Sequence, residues 1–227
     1  MVIGNGSIAN IFIKKYSDNK DILIFASGVS DSNETDDNKF KREEDLLVNS
    51  IIENKDIKII YFSSVFVNHI DNKYYSHKLK IESIIENHST NYIILRLPQI
   101  ISFSGNKNNL INYFYNSIKN NQEIKIYENT FRCLIDIEDV FKITNYVINK
   151  TNLKILIFSK IEKISVIELC NKISNILLIT PKIKIEKKIN KIPDIENDDL
   201  INEAIINCGI NKINYINNVL NKYIKKW

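Results

Sequence analysis

Short, continuous apolar runs alternate with helix-like segments through the first hundred residues, and this alternation constrains the fold more than any other feature. The runs are Met1–Ile3, Ile22–Gly28, Ile57–Phe62 and Tyr92–Pro98. Continuous apolar runs of this length are typical of strands that are buried on both faces. Strands that alternate with helices and short loops predict a parallel sheet with helices on both sides, an α/β doubly wound fold.

A glycine-rich loop follows the first apolar run directly. It reads Gly4-Asn5-Gly6-Ser7-Ile8-Ala9 and leads into a segment with helical spacing of its apolar residues. Glycines at a strand-to-helix turn let the backbone approach a pyrophosphate, and the helix N-terminus supplies amide donors. We expect Gly4, Gly6, Ser7 and Ile8 to bind the phosphates of a dinucleotide. An ordinary strand-to-helix turn would have the same pattern.

Small or polar residues follow the other predicted strands. Ligands of parallel sheets bind outside the carboxyl ends of the strands. We therefore expect the following residues to line one crevice with the glycine loop: Ala26, Ser27, Gly28, Ser63, Ser64, Leu97, Pro98 and Gln99. For the two serines and Gln99, a polar cap on the strand is the alternative.

Tyr74 and Lys78 lie four residues apart in a segment with helical character. On a helix, this spacing puts both side chains on one face. An ammonium near a phenol favours the phenolate and lowers the tyrosine pKa from its usual value of about 10. Such a tyrosine can exchange a proton with a carbinol at neutral pH. Tyr-Lys pairs at this spacing are also common on exposed helix surfaces, where they have no function. The residues around the pair are therefore needed to choose between the two interpretations.

The composition is that of a globular protein. Hydrophobic residues make up 44% and charged residues 26%, which indicates neither disorder nor a membrane class. The net charge is +4, with lysines scattered among carboxylates, so we expect no nucleic acid partner. The chain has no apolar run of membrane length and no signal segment, so we expect a cytoplasmic protein without a membrane partner. Cys133, Cys170 and Cys208 are far apart and predict reduced thiols and no metal site.

In chain order, these motifs resemble the extended short-chain dehydrogenase/reductase family, which includes nucleotide-sugar epimerases, dehydratases and ketoreductases. The resemblance covers nearly the whole chain. It includes the glycine loop, the strand end at Ser63 and Ser64, and the pattern Y-x-x-x-K-L-x-x-E at Tyr74, Lys78 and Glu82. Later matching blocks are Leu95–Pro98, Arg132–Val140 and Ile164–Leu169.

The resemblance implies a catalytic role for three residues. Tyr74 would be the acid/base, and Lys78 would hold the nicotinamide ribose and lower the tyrosine pKa. Ser64 would hydrogen-bond the reacting oxygen, with Ser63 as the second choice. The implied cofactor is NADP or NAD.

The resemblance also implies a substrate site. Gln99 and Arg132 would hold the diphosphate of a nucleotide sugar, since a guanidinium donates two parallel hydrogen bonds to phosphate oxygens. An ion pair with Asp136 or Asp139 is the alternative for Arg132. The implied organisation is a Rossmann-like domain over residues 1–150, with substrate-contacting insertions from about residue 99, and a small C-terminal substrate-binding portion over residues 151–227. A homodimer is possible by the same resemblance.

The chain departs from the family pattern on the adenosine side. The family inserts two further strands and a helix before the strand at Ile22, whereas only a few polar residues remain here. The acidic residue that reads the adenosine ribose has no obvious counterpart, so NAD and NADP both stay open. Val65 and Phe66 stand where 4,6-dehydratases carry Asp-Glu, which disfavours dehydration. His69 and His77 are expected at the surface.

The resemblance therefore implies an NAD(P)-dependent reductase of a 4-keto-6-deoxy nucleotide sugar, acting in deoxysugar synthesis for a surface glycan. A nucleotide-sugar 4-epimerase is the alternative within the family. An alternative from another class is a catalytically silent partner or sensor that binds a nucleotide.

Overall fold

A computed structural model describes residues 1–54, 56–102, 110–151, 154–187 and 194–225. Within these ranges the strands are β1 (Val2–Ile3), β2 (Ile22–Phe25), β3 (Lys58–Ser64), β4 (Tyr92–Leu97), β5 (Gln99–Ile101), β6 (Glu123–Tyr127), β7 (Phe131–Asp136), β8 (Ile155–Ile157), β9 (Lys163–Ser165) and β10 (Lys182–Glu186). The helices are α1 (Ser7–Tyr16), α2 (Asp37–Glu53), α3 (Lys73–His88), α4 (Leu110–Lys119), α5 (Ile137–Val147), α6 (Val166–Leu177), α7 (Asp199–Asn207) and α8 (Tyr215–Ile224).

The chain divides into two compact units. Unit 1 comprises Met1–Pro98, Ile137–Ser159 and Glu196–Gly209, and unit 2 comprises Gln99–Asp136, Lys160–Ile195 and Ile210–Trp227. The sequence predicted a boundary after residue 150, with substrate-contacting insertions in the first domain from about residue 99. In the structure, unit 2 begins at Gln99, and β8 pairs with β4 and α5 packs against α1, so the middle of the chain returns to unit 1.

Unit 1 contains a five-stranded sheet in the order β1-β2-β3-β4-β8. Every neighbouring pair in it is parallel, which confirms the predicted α/β class. The strand order follows the chain, and β1 lies at the edge, so the described residues contain no strand on the far side of β1. The parallel register brings the carboxyl ends of the strands to one edge, for example Ser64 opposite Leu97.

Helices cover both faces of this sheet, which explains why its strands are apolar throughout. On one face, α2 and α3 pack against the sheet. The buried core between them consists of Leu23, Phe25, Leu47, Ile51, Ile57, Ile59, Tyr61, Ile81, Ile85, Tyr92 and Ile94. On the other face, the ring of Phe12 on α1 lies 5.5 Å from Phe62 and 5.1 Å from Phe141 on α5.

Unit 2 is a smaller α/β unit. It contains a three-stranded sheet in the order β5-β7-β9 and a parallel pair of β10 and β6, together with α4, α6 and α8. Asp136 at the end of β7 ties α8 to this sheet: it accepts hydrogen bonds from the Tyr223 hydroxyl (2.6 Å) and Lys222 Nζ (2.7 Å). No helix in the described part of the chain is both long and apolar enough to cross a membrane.

Candidate active site

The glycine loop passes tightly over the end of β2 and leaves the N-terminus of α1 open. Gly4 has φ +130°, and a Cβ there would lie 2.3 Å from the carbonyl oxygen of Ala26, so only glycine fits. Gly6 precedes α1, and a Cβ on it would meet no atom within 4 Å. Ser7 and Ile8 begin the helix, whose first turn has no acidic residue and no side-chain cap. Its backbone amides and dipole therefore favour an anion.

The residues after β2 lie between the glycine loop and α3. The Ala26 amide donates to the carbonyl oxygen of Ile3 (2.8 Å), which continues the parallel pairing with β1. The Arg42 guanidinium donates to Ser27, to its carbonyl oxygen at 2.9 Å and its Oγ at 3.3 Å. A Cβ on Gly28 would lie 2.6 Å from Lys78 Nζ, so this turn passes directly beside the lysine.

Helix α3 places Tyr74 and Lys78 on one face, as the spacing predicts. Asn72 caps the helix by accepting a hydrogen bond from the Tyr75 amide (2.9 Å), which puts Tyr74 in its first turn. Lys78 follows one turn later, with Nζ at 5.7 Å from the centroid of the Tyr74 ring. The Tyr74 ring also meets the Tyr75 ring edge-on, with centroids 5.0 Å apart.

A buried carboxylate on α2, Glu43, holds Lys78. Glu43 Oε1 accepts hydrogen bonds from Lys78 Nζ (3.1 Å) and the Tyr61 hydroxyl (3.0 Å). Its Oε2 accepts one from the Val29 amide (2.7 Å) and lies 3.0 Å from His77 Nε2. The Glu43 side chain has no exposed surface, so these four contacts replace its hydration.

Glu43 is ionised at neutral pH. Burial alone raises its pKa, but the His77 hydrogen bond, the Lys78 charge and the Val29 amide outweigh that effect and lower the pKa to about 2. The site therefore contains a full negative charge next to the ammonium of Lys78.

The expected lowering of the Tyr74 pKa by Lys78 is wrong. Burial raises the pKa of Tyr74 above its usual range, and Tyr75 together with the charges of Glu43 and Asp31 raises it further. The prediction rested on the spacing of two residues on one helix. It failed chiefly because Tyr74 is buried, which disfavours the phenolate, and also because carboxylates from outside that helix, Glu43 and Asp31, face the ring.

His77 is also not where the sequence placed it. It was expected at the surface with His69, yet only 6% of it is exposed. Its ring packs 4.5 Å from that of Phe40 on α2, and Nε2 faces Glu43. His69 is exposed as predicted.

The burial of Glu43 could have been predicted from helical periodicity, although the pattern of apolar residues alone did not indicate it. Glu43 lies three residues after Phe40 and four before Leu47, so it belongs to the inward-facing stripe of α2. A carboxylate in such a stripe needs a buried partner. Lys78 is that partner.

We expect Glu43 to make the protein less stable in acid. Its pKa is about 2 in the folded protein against an ordinary 4.5, so its contribution is complete above pH 4.5 and is lost as pH falls towards 2. The shift corresponds to about 3 kcal/mol of unfolding free energy. Urea unfolding between pH 5 and 2.5 measures this decline in the free energy of unfolding. A Glu44→Gln control should show the same decline as the wild type, and a Glu43→Gln variant should show a smaller one. A folded Glu43→Gln variant whose unfolding free energy declines as much as that of the wild type would contradict the low pKa of Glu43.

The two serines at the end of β3 differ in their surroundings. The Ser63 hydroxyl is buried and has no hydrogen-bond partner within the described residues. Strand alternation puts Ser63 on the same face as Tyr61. The Ser64 Oγ accepts a hydrogen bond from the Phe66 amide (3.3 Å), which matches the alternative of a polar strand cap. A buried hydroxyl without a partner is unusual in a folded protein, so Ser63 is as good a candidate as Ser64 for contacting a ligand.

The end of β4 is held to β3 and α3. The carbonyl oxygen of Leu97 accepts from the Val65 amide (3.1 Å), and Pro98 is buried at the end of this segment of unit 1. Glu82, the last residue of the tyrosine motif, forms a bidentate ion pair with Arg96 on β4, at 2.5 and 3.1 Å. Glu82 therefore anchors the motif's helix to the sheet.

Gln99 and Arg132 belong to unit 2. Gln99 begins β5, where it is paired with Leu134 of β7. Arg132 lies on β7 opposite Ile164 and donates from Nη1 to the carbonyl oxygen of Phe131 (2.8 Å). Asp136 binds Lys222 and Tyr223, and Asp139 binds Lys142 (2.8 Å). The substrate-binding role of both residues stays a prediction.

Comparison with known proteins identifies the fold. No family model matches the chain, and no curated protein matches its sequence. Solved structures do match. The UDP-glucuronic acid 4-epimerase of Bacillus cereus, in complex with UDP-glucuronic acid and NAD, has a TM-score of 0.70 at 14% identity, over 98% of this chain and 79% of that one.

Two enzymes of Bacillus anthracis match equally well. The dTDP-glucose 4,6-dehydratase in complex with NAD has a TM-score of 0.71 at 12% identity, over 97% of this chain and 76% of the other. The dTDP-4-dehydrorhamnose reductase in complex with NADP has a TM-score of 0.67 at 14% identity, over 97% and 83%. The fold is thus that of nucleotide-sugar epimerases, dehydratases and reductases, and one fold serves three reactions.

Proposed function

We propose that the protein is an NAD(P)-dependent reductase of a 4-keto-6-deoxy nucleotide sugar. One observation carries the proposal: the open N-terminus of α1 and the Tyr74–Lys78 pair lie at the carboxyl ends of one parallel sheet, in a fold shared with nucleotide-sugar enzymes. Fold alone does not choose a reaction. The Tyr74 hydroxyl and the strand-end serines are groups suited to proton transfer at a carbonyl oxygen.

The residues of unit 1 fit a nicotinamide dinucleotide. Gly6 leaves space above the α1 amides for a pyrophosphate, and the Ser63 hydroxyl is a buried polar atom that lacks a protein partner in the described structure. Gly28 lets the turn after β2 pass close to Lys78, because a side chain at this position would collide with Lys78 Nζ. When bound, the nicotinamide would supply the hydride.

The chain's own residues would bind the cofactor and the sugar nucleotide, orient them and protonate the carbonyl oxygen of the sugar. The loop from Gly4 to Ile8 would hold the phosphates, and Lys78 would donate to a ribose hydroxyl. Ser64 or Ser63 would hydrogen-bond the carbonyl oxygen of the sugar, and Tyr74 would give that oxygen its proton. Gln99 and Arg132 would bind the diphosphate of the sugar nucleotide.

Titration with NADH and NADPH, followed by nicotinamide fluorescence, tests the proposal. A Gly6→Val variant should bind at least about tenfold more weakly, because its side chain occupies the space for the pyrophosphate. The variant should remain folded, since a Cβ at Gly6 touches nothing and its φ of −79° suits any residue.

Ser17→Val, at the exposed opposite end of the same helix, is the matched control and should bind like the wild type. Equal affinity in the Gly6→Val and Ser17→Val variants, or no binding of either dinucleotide by the wild type, would refute the site. If binding is found, turnover of a panel of 4-keto nucleotide sugars identifies the substrate.

A catalytically silent nucleotide-binding partner or sensor is a second candidate. It is favoured by the position of β1 at the sheet edge, since no described strand supports an adenosine on that side. It predicts that a Tyr74→Phe variant keeps its biological role.

A 4-epimerase is the alternative within the same class of enzymes. It differs from the reductase in that NAD would stay bound to the protein through purification. A homodimer and a cytoplasmic location are further proposals, which sizing and fractionation would test.

A further inference from the structure

Arg42 on α2 lies beside the candidate dinucleotide site, yet it has no role in the function described so far. We propose that Arg42 is a cofactor-binding residue whose guanidinium binds the pyrophosphate that the glycine loop would hold. This role rests on the proposed function, and Arg42 lies outside the motifs that pointed to that function.

The guanidinium of Arg42 is fixed next to the glycine loop. Its Nη2 donates to the carbonyl oxygen of Ser27 (2.9 Å), and its Nη1 donates to the Ser27 Oγ (3.3 Å). The amide nitrogen of Ser27 lies in turn 3.0 Å from the position that a Cβ on Gly4 would take. A single residue, Ser27, therefore connects Arg42 to the backbone that would carry the phosphates, within the same compact unit.

Arg42 differs from the other cations of α2 in its partners. Lys39 pairs with Glu34. Lys41 pairs with Asp45 at 2.9 Å. Among the residues that the structure describes, Arg42 has no carboxylate partner, because its two hydrogen bonds go to an uncharged carbonyl and an uncharged hydroxyl. A guanidinium has five N–H donors, so this exposed and anchored cation can bind an anion without first breaking an ion pair.

The glycine loop by itself supplies little positive charge. Residues 4–9 contain no lysine or arginine, and the basic residues of α1, Lys14 and Lys15, lie in its last turn. A helix N-terminus contributes about half an elementary charge, whereas both phosphates of a dinucleotide bridge are ionised at neutral pH. A guanidinium donates two parallel hydrogen bonds to phosphate oxygens, so Arg42 would supply the charge that the loop lacks.

Titration of the wild type and an Arg42→Gln variant with NADH and NADPH, followed by nicotinamide fluorescence, tests this role. Arg42→Gln should bind both dinucleotides about 10- to 100-fold more weakly, the usual effect of losing charge-assisted hydrogen bonds. The fold-change should be the same for both, because the pyrophosphate is common to them. A loss confined to NADPH would place Arg42 at the 2′-phosphate and would overturn the pyrophosphate assignment.

Lys41→Gln is the matched control. It removes the same charge from the neighbouring residue, whose side chain is 72% exposed, and should bind both dinucleotides like the wild type. Arg42 is exposed as well, so its variants should remain folded, which urea unfolding checks. Wild-type protein that binds neither dinucleotide would refute the proposed site as a whole. Wild-type binding with equal affinity in Arg42→Gln would overturn the role of Arg42 alone.

An Arg42→Lys variant separates phosphate binding from a purely structural role in holding the turn at Ser27. Lysine keeps the positive charge but cannot repeat the two-pronged contact with Ser27. Arg42→Lys should therefore recover part of the lost affinity, and added NaCl should weaken binding by the wild type more steeply than binding by Arg42→Gln. An Arg42→Lys variant as weak as Arg42→Gln, with the same salt dependence as the wild type in both, would overturn the phosphate contact.

Discussion

Replacing Lys78 with methionine is expected to lower the free energy of unfolding by about 3–5 kcal/mol, the usual cost of removing one partner from a buried ion pair. Methionine has a similar length, so the loss would come from Glu43, which stays buried without a permanent cation. Its contacts with Tyr61, Val29 and His77 would remain, and they limit this loss. Urea unfolding at pH 7 measures the change.

The same two helices supply the control. Lys80 pairs with Glu44 at 2.7 Å, also between α3 and α2, but 59% of its side chain is exposed. Exposed ion pairs contribute about 0–1 kcal/mol, so Lys80→Met should be nearly neutral. Similar losses for the two variants would show that Glu43 and Lys78 are far better solvated than their burial indicates.

Replacing Tyr74 with phenylalanine is expected to lower kcat for the substrate found in the panel by about 100- to 10,000-fold, the range for loss of a general acid. The change removes one hydroxyl and keeps the ring that meets Tyr75 and lies near Lys78. Stability and NAD(P)H affinity should therefore hardly change. Steady-state kinetics beside the fluorescence titration separates these effects.

Tyr75→Phe is the matched control for Tyr74. Tyr75 is the next residue on α3, and its ring is buried edge-on to Phe66, with centroids 6.4 Å apart. Its variant should keep kcat within a few fold. A Tyr74→Phe variant with wild-type kcat would exclude the phenol as the proton donor and would favour the silent partner.

The local features of this protein were readable in the sequence. Continuous apolar strands predicted a sheet buried on both faces, and Gly4 and Gly6 predicted a tight turn before a helix with a free N-terminus. The spacing of Tyr74 and Lys78 placed both on one face of α3. These features depend on residues a few positions apart, so backbone geometry alone determines them.

The electrostatics of the site were decided by tertiary structure. Glu43 lies 35 residues before Lys78 in the chain, and only the packing of α2 on α3 brings them to 3.1 Å. The same packing buries His77 and reverses the expected direction of the Tyr74 pKa. A pKa depends on burial and on every charge nearby in space, and sequence spacing reports only the neighbours on the same helix. The sequence by itself determined that Tyr74 and Lys78 lie on one face of a helix, whereas the fold decided which charges surround them.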